Sequence, residues 1–115
     1  MTLIAITAES SSLDAPVDPR FGRAAGFALV DSEAEGMTWL SNAAAATMSG
    51  GAGIHAAETI AKAGARVLLT GRVGPKAQSA LAAAGIAVEE DCAGMTVREA
   101  VSRYTAKPAK AERRP

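Results

Sequence analysis

The sequence predicts an α/β fold: a mixed five-stranded sheet with flanking helices, in the order β-β-β-α-β-α-β-α. Short apolar runs of strand length recur along the chain, whereas helix-length segments separate them only in the second half. Glycines and a proline mark the ends of the helical segments. A chain of 115 residues is long enough for one domain with its own core.

Three strands are predicted in the first half, over residues 3–7, 27–31 and 38–42. Residues 3–7 are mainly apolar, as in a strand that is buried on both faces. A short turn separates the other two runs, so we expect them to form an antiparallel hairpin. Loops over 9–23 and 43–53 follow the first and the third strand.

The second half is predicted to alternate helices and strands. The first helix covers 54–63 and ends at Gly64, a residue type that favours helix C-termini. Its predicted inner face consists of Ile54, Ala57, Ile60 and Ala61. A buried strand over 67–70 and a loop over 71–74 follow.

The remaining elements are a helix, a strand over 86–88 and a final helix. Pro75 favours the first turn of the penultimate helix, and Gly85 ends it. Thr96 with Glu99 three residues later forms a capping box, which places the start of the final helix.

The strand directions place three loops, 9–23, 43–53 and 71–74, at one end of the sheet. The first and fourth strands end there, and ligands of α/β sheets bind at the carboxyl ends of strands. The strand order is that of a ribonuclease-H-like sheet. We therefore expect a ligand site formed by these loops.

The residues that catalysis would need are missing from this framework. Nucleases of this fold hold metal ions on carboxylates of the first and fourth strands, but 3–7 and 67–70 contain none. Residues 71–76, Gly-Arg-Val-Gly-Pro-Lys, lack the Gly-Lys-Ser/Thr ending of a phosphate loop. The spacing around His55, the single histidine, indicates no catalytic triad. The sequence predicts a binding protein and no enzyme.

An anion fits the predicted site. Residues 49–53, Ser-Gly-Gly-Ala-Gly, precede a helix, so free backbone N–H groups face the loops. Gly51 and Gly53 are expected to let the backbone approach a ligand. The candidate binding residues are Arg20, Phe21, Arg23, Met48, Ser49, Gly50, Gly51, Ala52, Gly53, His55, Arg72 and Lys76; no metal ligand is assigned.

Several candidates have an ordinary structural alternative. For Arg20 and Arg23 it is pairing with Asp18 or with loop carbonyls, since surface pairs are common and weak. For His55 it is a solvated surface position, and for Met48 an apolar wall. Three acidic residues share the region, so we expect only a small local excess of positive charge: Glu9, Asp14 and Asp18.

Cys92 is the only cysteine. Neither an internal disulfide nor a thiolate-ligated cluster can be built from one thiol. Cys92 follows the last predicted strand, and we expect it to lie away from the three loops as a buried thiol without a binding role.

One domain is predicted over 1–105, followed by a disordered basic tail over 106–115. The tail holds four Lys and Arg residues against one Glu, and since the chain has zero formal net charge, the domain carries −3. An acidic domain disfavours nucleic acid as a partner. No apolar run reaches the ~20 residues that span a membrane, and no signal peptide is recognised. We expect a cytoplasmic monomer.

Four motifs carry a family resemblance: Val-Asp-Pro-Arg-Phe-Gly-Arg-Ala at 17–24, Gly-Gly-Ala-Gly-Ile at 50–54, Leu-Thr-Gly-Arg-Val-Gly-Pro-Lys-Ala at 69–77 and Ala-Gly-Ile at 84–86. Together they resemble the dinitrogenase iron–molybdenum cofactor-binding family over roughly residues 1–104. The closer match is to a branch of this family from sulfate-reducing bacteria, supported by the Gly-x-Thr-Val-Arg-x-Ala-Val stretch at 94–101.

The resemblance implies a ribonuclease-H-like fold and a non-covalently bound molybdenum–copper sulfide cluster, two tetrathiomolybdate units bridged by copper with a charge of −3. It also implies partition-type ATPases as partners. Other members carry the nitrogenase cofactor or its precursors. The cysteine and histidine ligands of parts of the family have no clear counterpart here, where only His55 is a candidate.

Removing residues 106–115 is expected to leave the melting temperature within about 2 °C of the full-length chain. The segment has too few apolar groups to offset the entropy of ordering it. Thermal unfolding of the two chains checks this, and a loss of several degrees would show that the tail docks on the domain.

Overall fold

The computed structural model describes residues 2–34 and 36–106, and it confirms the mixed five-stranded α/β fold. The strands are β1 Leu3–Ala8, β2 Gly26–Asp31, β3 Thr38–Ser41, β4 Val67–Leu69 and β5 Ala87–Glu89. The helices are α1 Ala43–Ala46, α2 Ala52–Lys62, α3 Pro75–Ala83 and α4 Val97–Ala106.

The sheet has the strand order β3-β2-β1-β4-β5. Strand β1 pairs antiparallel with β2 and parallel with β4, so that Ile6 lies opposite Ala28 on one side and Leu69 on the other. Strands β2 and β3 are antiparallel, and β4 and β5 are parallel. This is the ribonuclease-H-like arrangement. Strands β1, β3, β4 and β5 all end at the same edge of the sheet.

Two apolar clusters lie on opposite faces of the sheet. Ala5 of β1 faces the cluster that includes Ile60 of α2 and Leu81 of α3. Its neighbours Ile4 and Ile6 face the cluster beneath α4. All five side chains are fully buried. Because successive side chains of a strand point to opposite faces, β1 contributes to both clusters, and the sheet is the middle layer of three.

The inner face of helix α2 follows the prediction except at Ile54. Ala57 and Ile60 are buried and Ala61 packs against the same cluster, as predicted, whereas Ile54 is 39% exposed. Gly53 accounts for this exposure, since a Cβ at Gly53 would lie 2.8 Å from the Cβ of Ala77 in α3. With Gly53 turned toward α3, the next residue turns outward, because successive helix residues differ by about 100°.

Helix α1 lies within the predicted loop 43–53 and is absent from the predicted element order. Its four alanines favour helix, but an isolated helix of this length is unstable in water. Helix α2 begins two residues earlier than predicted. The capping box of α4 is confirmed: the Glu99 N–H donates to Thr96 Oγ1 at 3.1 Å, and the Thr96 N–H donates to Glu99 Oε1 at 2.9 Å.

The long loop after β1 is tied to the start of α4. The Val17 N–H donates to the Met95 carbonyl at 2.9 Å, and the Val97 N–H donates to the Ala15 carbonyl at 2.9 Å. Within the described part of the chain, no helix is long and apolar enough to cross a membrane. Ala106, predicted as the first residue of the tail, is the last residue of α4. The rest of the predicted tail, 107–115, lies outside the described residues, and its disorder stays a prediction.

Glycines bring the loops at the upper edge into backbone contact. A Cβ at Gly71 would lie 2.6 Å from the Cα of Pro19, and a Cβ at Gly22 would lie 2.8 Å from the backbone nitrogen of Gly53. No Cβ fits at these distances. Glycine at both positions therefore lets the backbones of the three loops come into contact.

Gly71→Ala is expected to lower the free energy of unfolding by about 1–3 kcal/mol, the usual cost of overpacking. The methyl group would press on the backbone of Pro19, which cannot move aside as a flexible side chain does. Gly50→Ala is the control, since a Cβ there meets nothing within 4 Å. Urea unfolding of both variants checks this, and equal stabilities would refute the close contact.

Candidate anion-binding site

The three loops enclose one cavity of about 550 Å³ at the upper edge of the sheet. Its lining comes from residues 19–23, from the start of α2 and from the segment between β4 and α3. The lining residues are Pro19, Arg20, Phe21, Gly22, Arg23, Gly51, Ala52, Gly53, Ile54, Arg72, Gly74, Pro75, Lys76 and Ala77. The loops therefore converge as the strand directions predict.

The charge of the lining is more positive than the sequence indicates. It includes four cationic residues and no carboxylate: Arg20, Arg23, Arg72 and Lys76. Asp14 is turned away and pairs with Arg98 of α4, with 3.1 Å between Oδ1 and Nε. Asp18 is buried, and Glu9 lies outside the lining. The lining itself is thus more positive than the small excess expected for the region, although the buried Asp18 stays 3.7 Å from the Arg20 guanidinium.

Arg20 and Arg72 lie side by side across the cavity floor, joined by a parallel β-bridge. The side chain of Arg20 is 68% exposed, and its Nε lies 3.7 Å from Asp18 Oδ1. The alternative of an Arg20–Asp18 pair is therefore correct, and Arg20 lines the cavity as well.

Arg23 has a mainly structural contact. Its Nη1 donates to the carbonyl of Ala46 at 3.1 Å and to that of Met48. These bonds hold the end of α1 against the first loop. The alternative of pairing with loop carbonyls is thus observed for Arg23, although the residue also lies in the lining.

Two helix N-termini supply backbone donors to the cavity wall. The first-turn N–H groups of α2 have no acceptor within their own helix, and Gly51, at its N-cap, has a φ of 75° that favours glycine. The first turn of α3 begins with Pro75. Gly53 also lines the cavity, and its missing side chain makes room for Ala77, while its expected contact with a ligand stays a prediction.

The lining also includes residues that the prediction missed: Pro19, Gly22, Ile54, Gly74, Pro75 and Ala77. Ile54 exposes its side chain at the cavity, although its sequence position had suggested the core. Phe21 is only 2% exposed and packs on Phe27, with ring centroids 5.7 Å apart, so it supports the cavity from below.

Four predicted residues lie outside the lining: Met48, Ser49, Gly50 and His55. Ser49 and Gly50 are exposed, whereas Met48 and His55 are half-buried. Within the described residues, the buried Nδ1 of His55 has no hydrogen-bond partner. Contacts of these four residues with a ligand stay predictions.

Polar contacts beneath the cavity fix the loops to the sheet. Thr7 Oγ1 at the end of β1 lies 2.9 Å from Thr70 Oγ1 and donates to the Asp18 carbonyl at 2.8 Å. Glu90 Oε2 accepts from the Val73 N–H at 2.8 Å. These contacts were not predicted, although two threonines at the ends of buried strands are a signal that indicates the first of them.

Cys92 lies at the same sheet edge but on the opposite face. The prediction that Cys92 lies away from the loop end was wrong, because β5 is parallel to β4 and ends at the same edge. The thiol is buried beneath α4. Burial raises the pKa of Cys92, while the nearby Arg103 guanidinium, 3.3 Å from Sγ, opposes the shift. The thiol is separated from the cavity by the sheet.

Comparison with known proteins places this geometry in a family. The profile described as dinitrogenase iron-molybdenum cofactor matches residues 2–107. The chain belongs to this family. Its structure superposes on the apo form of the orange protein from Desulfovibrio gigas with a TM-score of 0.89 and 58% identity, covering 90% of this chain and 87% of the other.

A more distant solved structure shares the fold. A Thermotoga protein provisionally assigned as NifB has a TM-score of 0.78 and 26% identity, covering 96% of this chain and 99% of the other. Among functionally curated proteins, no significant sequence match was found. The resemblance noted in the sequence is confirmed, down to the orange-protein branch of the family.

The side chains of this family member favour an anion over a bare metal ion. Among residues 2–34 and 36–106, no group of three or more His, Cys, Asp or Glu side chains is placed to hold a metal. The cavity instead presents guanidinium groups, an ammonium group and backbone N–H groups. All of these are donors, and they complement an acceptor with negative charge.

Proposed function

We propose that this chain binds a preassembled anionic metal–sulfur cluster without covalent bonds and performs no reaction of its own. The observation that carries the proposal is a cavity of about 550 Å³ whose lining has four cationic residues and no carboxylate. The finer proposal is a trianionic molybdenum–copper sulfide cluster, two tetrathiomolybdate units bridged by copper. Family membership and the 58% identity to the orange protein support it.

The residues present fit such a group. A cluster whose metals are already saturated by sulfide needs no protein ligand, and among the described residues no three or more His, Cys, Asp or Glu side chains are grouped to hold a metal ion. It needs hydrogen-bond donors and cations, which Arg20, Arg72 and Lys76 provide. It also tolerates apolar contact, which Ile54 and the cavity prolines provide. Because sulfide is a diffuse acceptor, several weak contacts share the binding.

A related cargo is the second candidate. The family is described by the iron-molybdenum cofactor of dinitrogenase, and a cofactor precursor of that kind is also an anionic metal–sulfur cluster. The same cavity would receive it through the same donors. Partition-type ATPases, which the resemblance implies, are the proposed protein partners, with this chain as their scaffold or regulatory module.

Adding tetrathiomolybdate and a copper salt to the purified apo protein tests the function. We expect a coloured complex that survives gel filtration, with molybdenum and copper in the protein peak. Free metal in the salt fraction alone would overturn the proposal.

Arg20→Ala combined with Arg72→Ala is expected to weaken cluster binding by roughly 1–3 kcal/mol, about 5- to 150-fold. Both side chains are exposed at the cavity, and part of the affinity is Coulombic, so binding by the native protein should also fall as salt rises. Arg23 is left in place because it supports the end of α1. The measurement is cluster retention at low and high salt.

Arg98→Ala is the matched control for the double variant. Arg98 of α4 pairs with Asp14 of the loop after β1. Both side chains are exposed, and neither lines the cavity. Its replacement should leave cluster retention unchanged. If the double variant retains the cluster as well as the native protein does at low and at high salt, the arginine side chains do not contribute to binding. Backbone donors and apolar contacts would then account for the affinity.

Cys92→Ser is expected to bind the cluster as the native protein does, because the thiol is buried on the opposite face of the sheet. Metal content after gel filtration measures this. A variant that folds but holds no metal would show that the thiolate takes part in binding.

A further inference from the structure

Asp18 is a buried carboxylate directly beneath the rim of the cavity. Its side chain is 7% exposed, whereas that of its neighbour Arg20 is 68% exposed. Charged groups are costly to bury without partners. The contacts that Asp18 Oδ1 makes are both with Arg20: the backbone N–H at 3.0 Å and the guanidinium Nε at 3.7 Å.

These two contacts constrain Arg20 at both ends. The backbone contact forms a local Asx-type turn, which sets the direction of the Cα–Cβ bond. The Nε contact is an ion pair at 3.7 Å, longer than a hydrogen bond, and it draws the inner edge of the guanidinium toward Asp18. Across residues 2–34 and 36–106, the Nη groups of Arg20 have no protein acceptor. The outer edge of a restrained guanidinium is therefore left available at the cavity.

The backbone of Asp18 is held by the end of β1. The Asp18 N–H donates to the Thr7 carbonyl at 2.9 Å, and the Asp18 carbonyl accepts from Thr7 Oγ1 at 2.8 Å. Thr7 and its partner Thr70 are both fully buried. A contact made by a residue with this support reduces the freedom of Arg20 more than an ordinary surface ion pair does.

We propose that Asp18 is a positioning residue, which holds Arg20 in the orientation that receives the anionic ligand. The inference rests on the proposed function for its ligand. Asp18 touches no ligand in this scheme and acts through Arg20. The Arg20 side chain then loses its conformational entropy when the protein folds and not when the ligand binds. Because less entropy is lost on binding, the affinity is higher.

Replacement of Asp18 by Asn separates positioning from charge, because the two effects have opposite signs. Removing a negative charge beside an anion site strengthens the Coulombic attraction. Releasing Arg20 weakens binding, since its side chain must then be ordered by the ligand. Asn keeps an oxygen that can accept from the Arg20 N–H, so the turn is retained.

In the first experiment, the apo protein and Asp18→Asn are titrated with tetrathiomolybdate and copper. We expect affinity to fall about two- to twelvefold despite the added positive charge. In an Arg20→Ala background the same change should cause no loss. Tighter binding by Asp18→Asn, or an equal loss in both backgrounds, would overturn the positioning role.

Matched controls come from the second Asp–Arg pair and from the arginine itself. Asp14→Asn breaks the contact with Arg98 away from the cavity and should leave affinity unchanged. Arg20→Lys keeps the charge but cannot hold Nε against Asp18, so it should bind as weakly as Asp18→Asn. Native-like affinity of Arg20→Lys would overturn the proposal even if Asp18→Asn does not fold.

The second experiment needs no cluster. The ¹⁵Nε order parameter of Arg20 in the apo protein is expected to be high and to fall in Asp18→Asn, with no change in Asp14→Asn. An unchanged value would refute positioning, whatever the cluster does. If the order parameter falls in Asp18→Asn but the native protein takes up no cluster, the positioning role stands and the proposed function is refuted.

Discussion

The contact of two buried threonine hydroxyls is the constraint on which the site depends. Thr7 and Thr70 lie at the ends of the two central parallel strands, and their oxygens are 2.9 Å apart. Thr7 also binds the carbonyl of Asp18, so one buried group joins β1, β4 and the first loop. A buried hydroxyl left without partners costs about 1–3 kcal/mol. This penalty makes one arrangement of the loop ends strongly preferred, and the position of Arg20 follows from it.

The positive character of the cavity is a product of how carboxylates are used elsewhere. Asp14 pairs with Arg98 on the far helix, Asp18 is buried against Arg20, and Glu90 accepts the Val73 N–H. Each contact satisfies a polar group and at the same time removes a negative charge from the lining. The chain is neutral overall, yet its cavity is cationic, because charge separation depends on side-chain direction and not on composition.

The strands and the helix ends could be predicted because their signals are local. Alternation within β1 and the Thr96–Glu99 capping box involve residues only a few positions apart. Helix α1 was missed because four alanines carry no boundary signal and are held by Arg23, which lies far away in the sequence. The exposure of Ile54 could not be predicted for a similar reason, since it follows from the contact of its neighbour Gly53 with Ala77 of another helix.

The sequence by itself determined the α/β fold, the family and the convergence of three loops at one edge of the sheet, because strand direction and helix caps follow from short-range patterns. Only the tertiary structure decided which charges line the cavity, that Ile54 faces it, and that Cys92 lies on the opposite face at the same edge. These properties depend on contacts between distant residues. Their energies are comparable to those of the alternatives that the sequence allows, so packing selects among them.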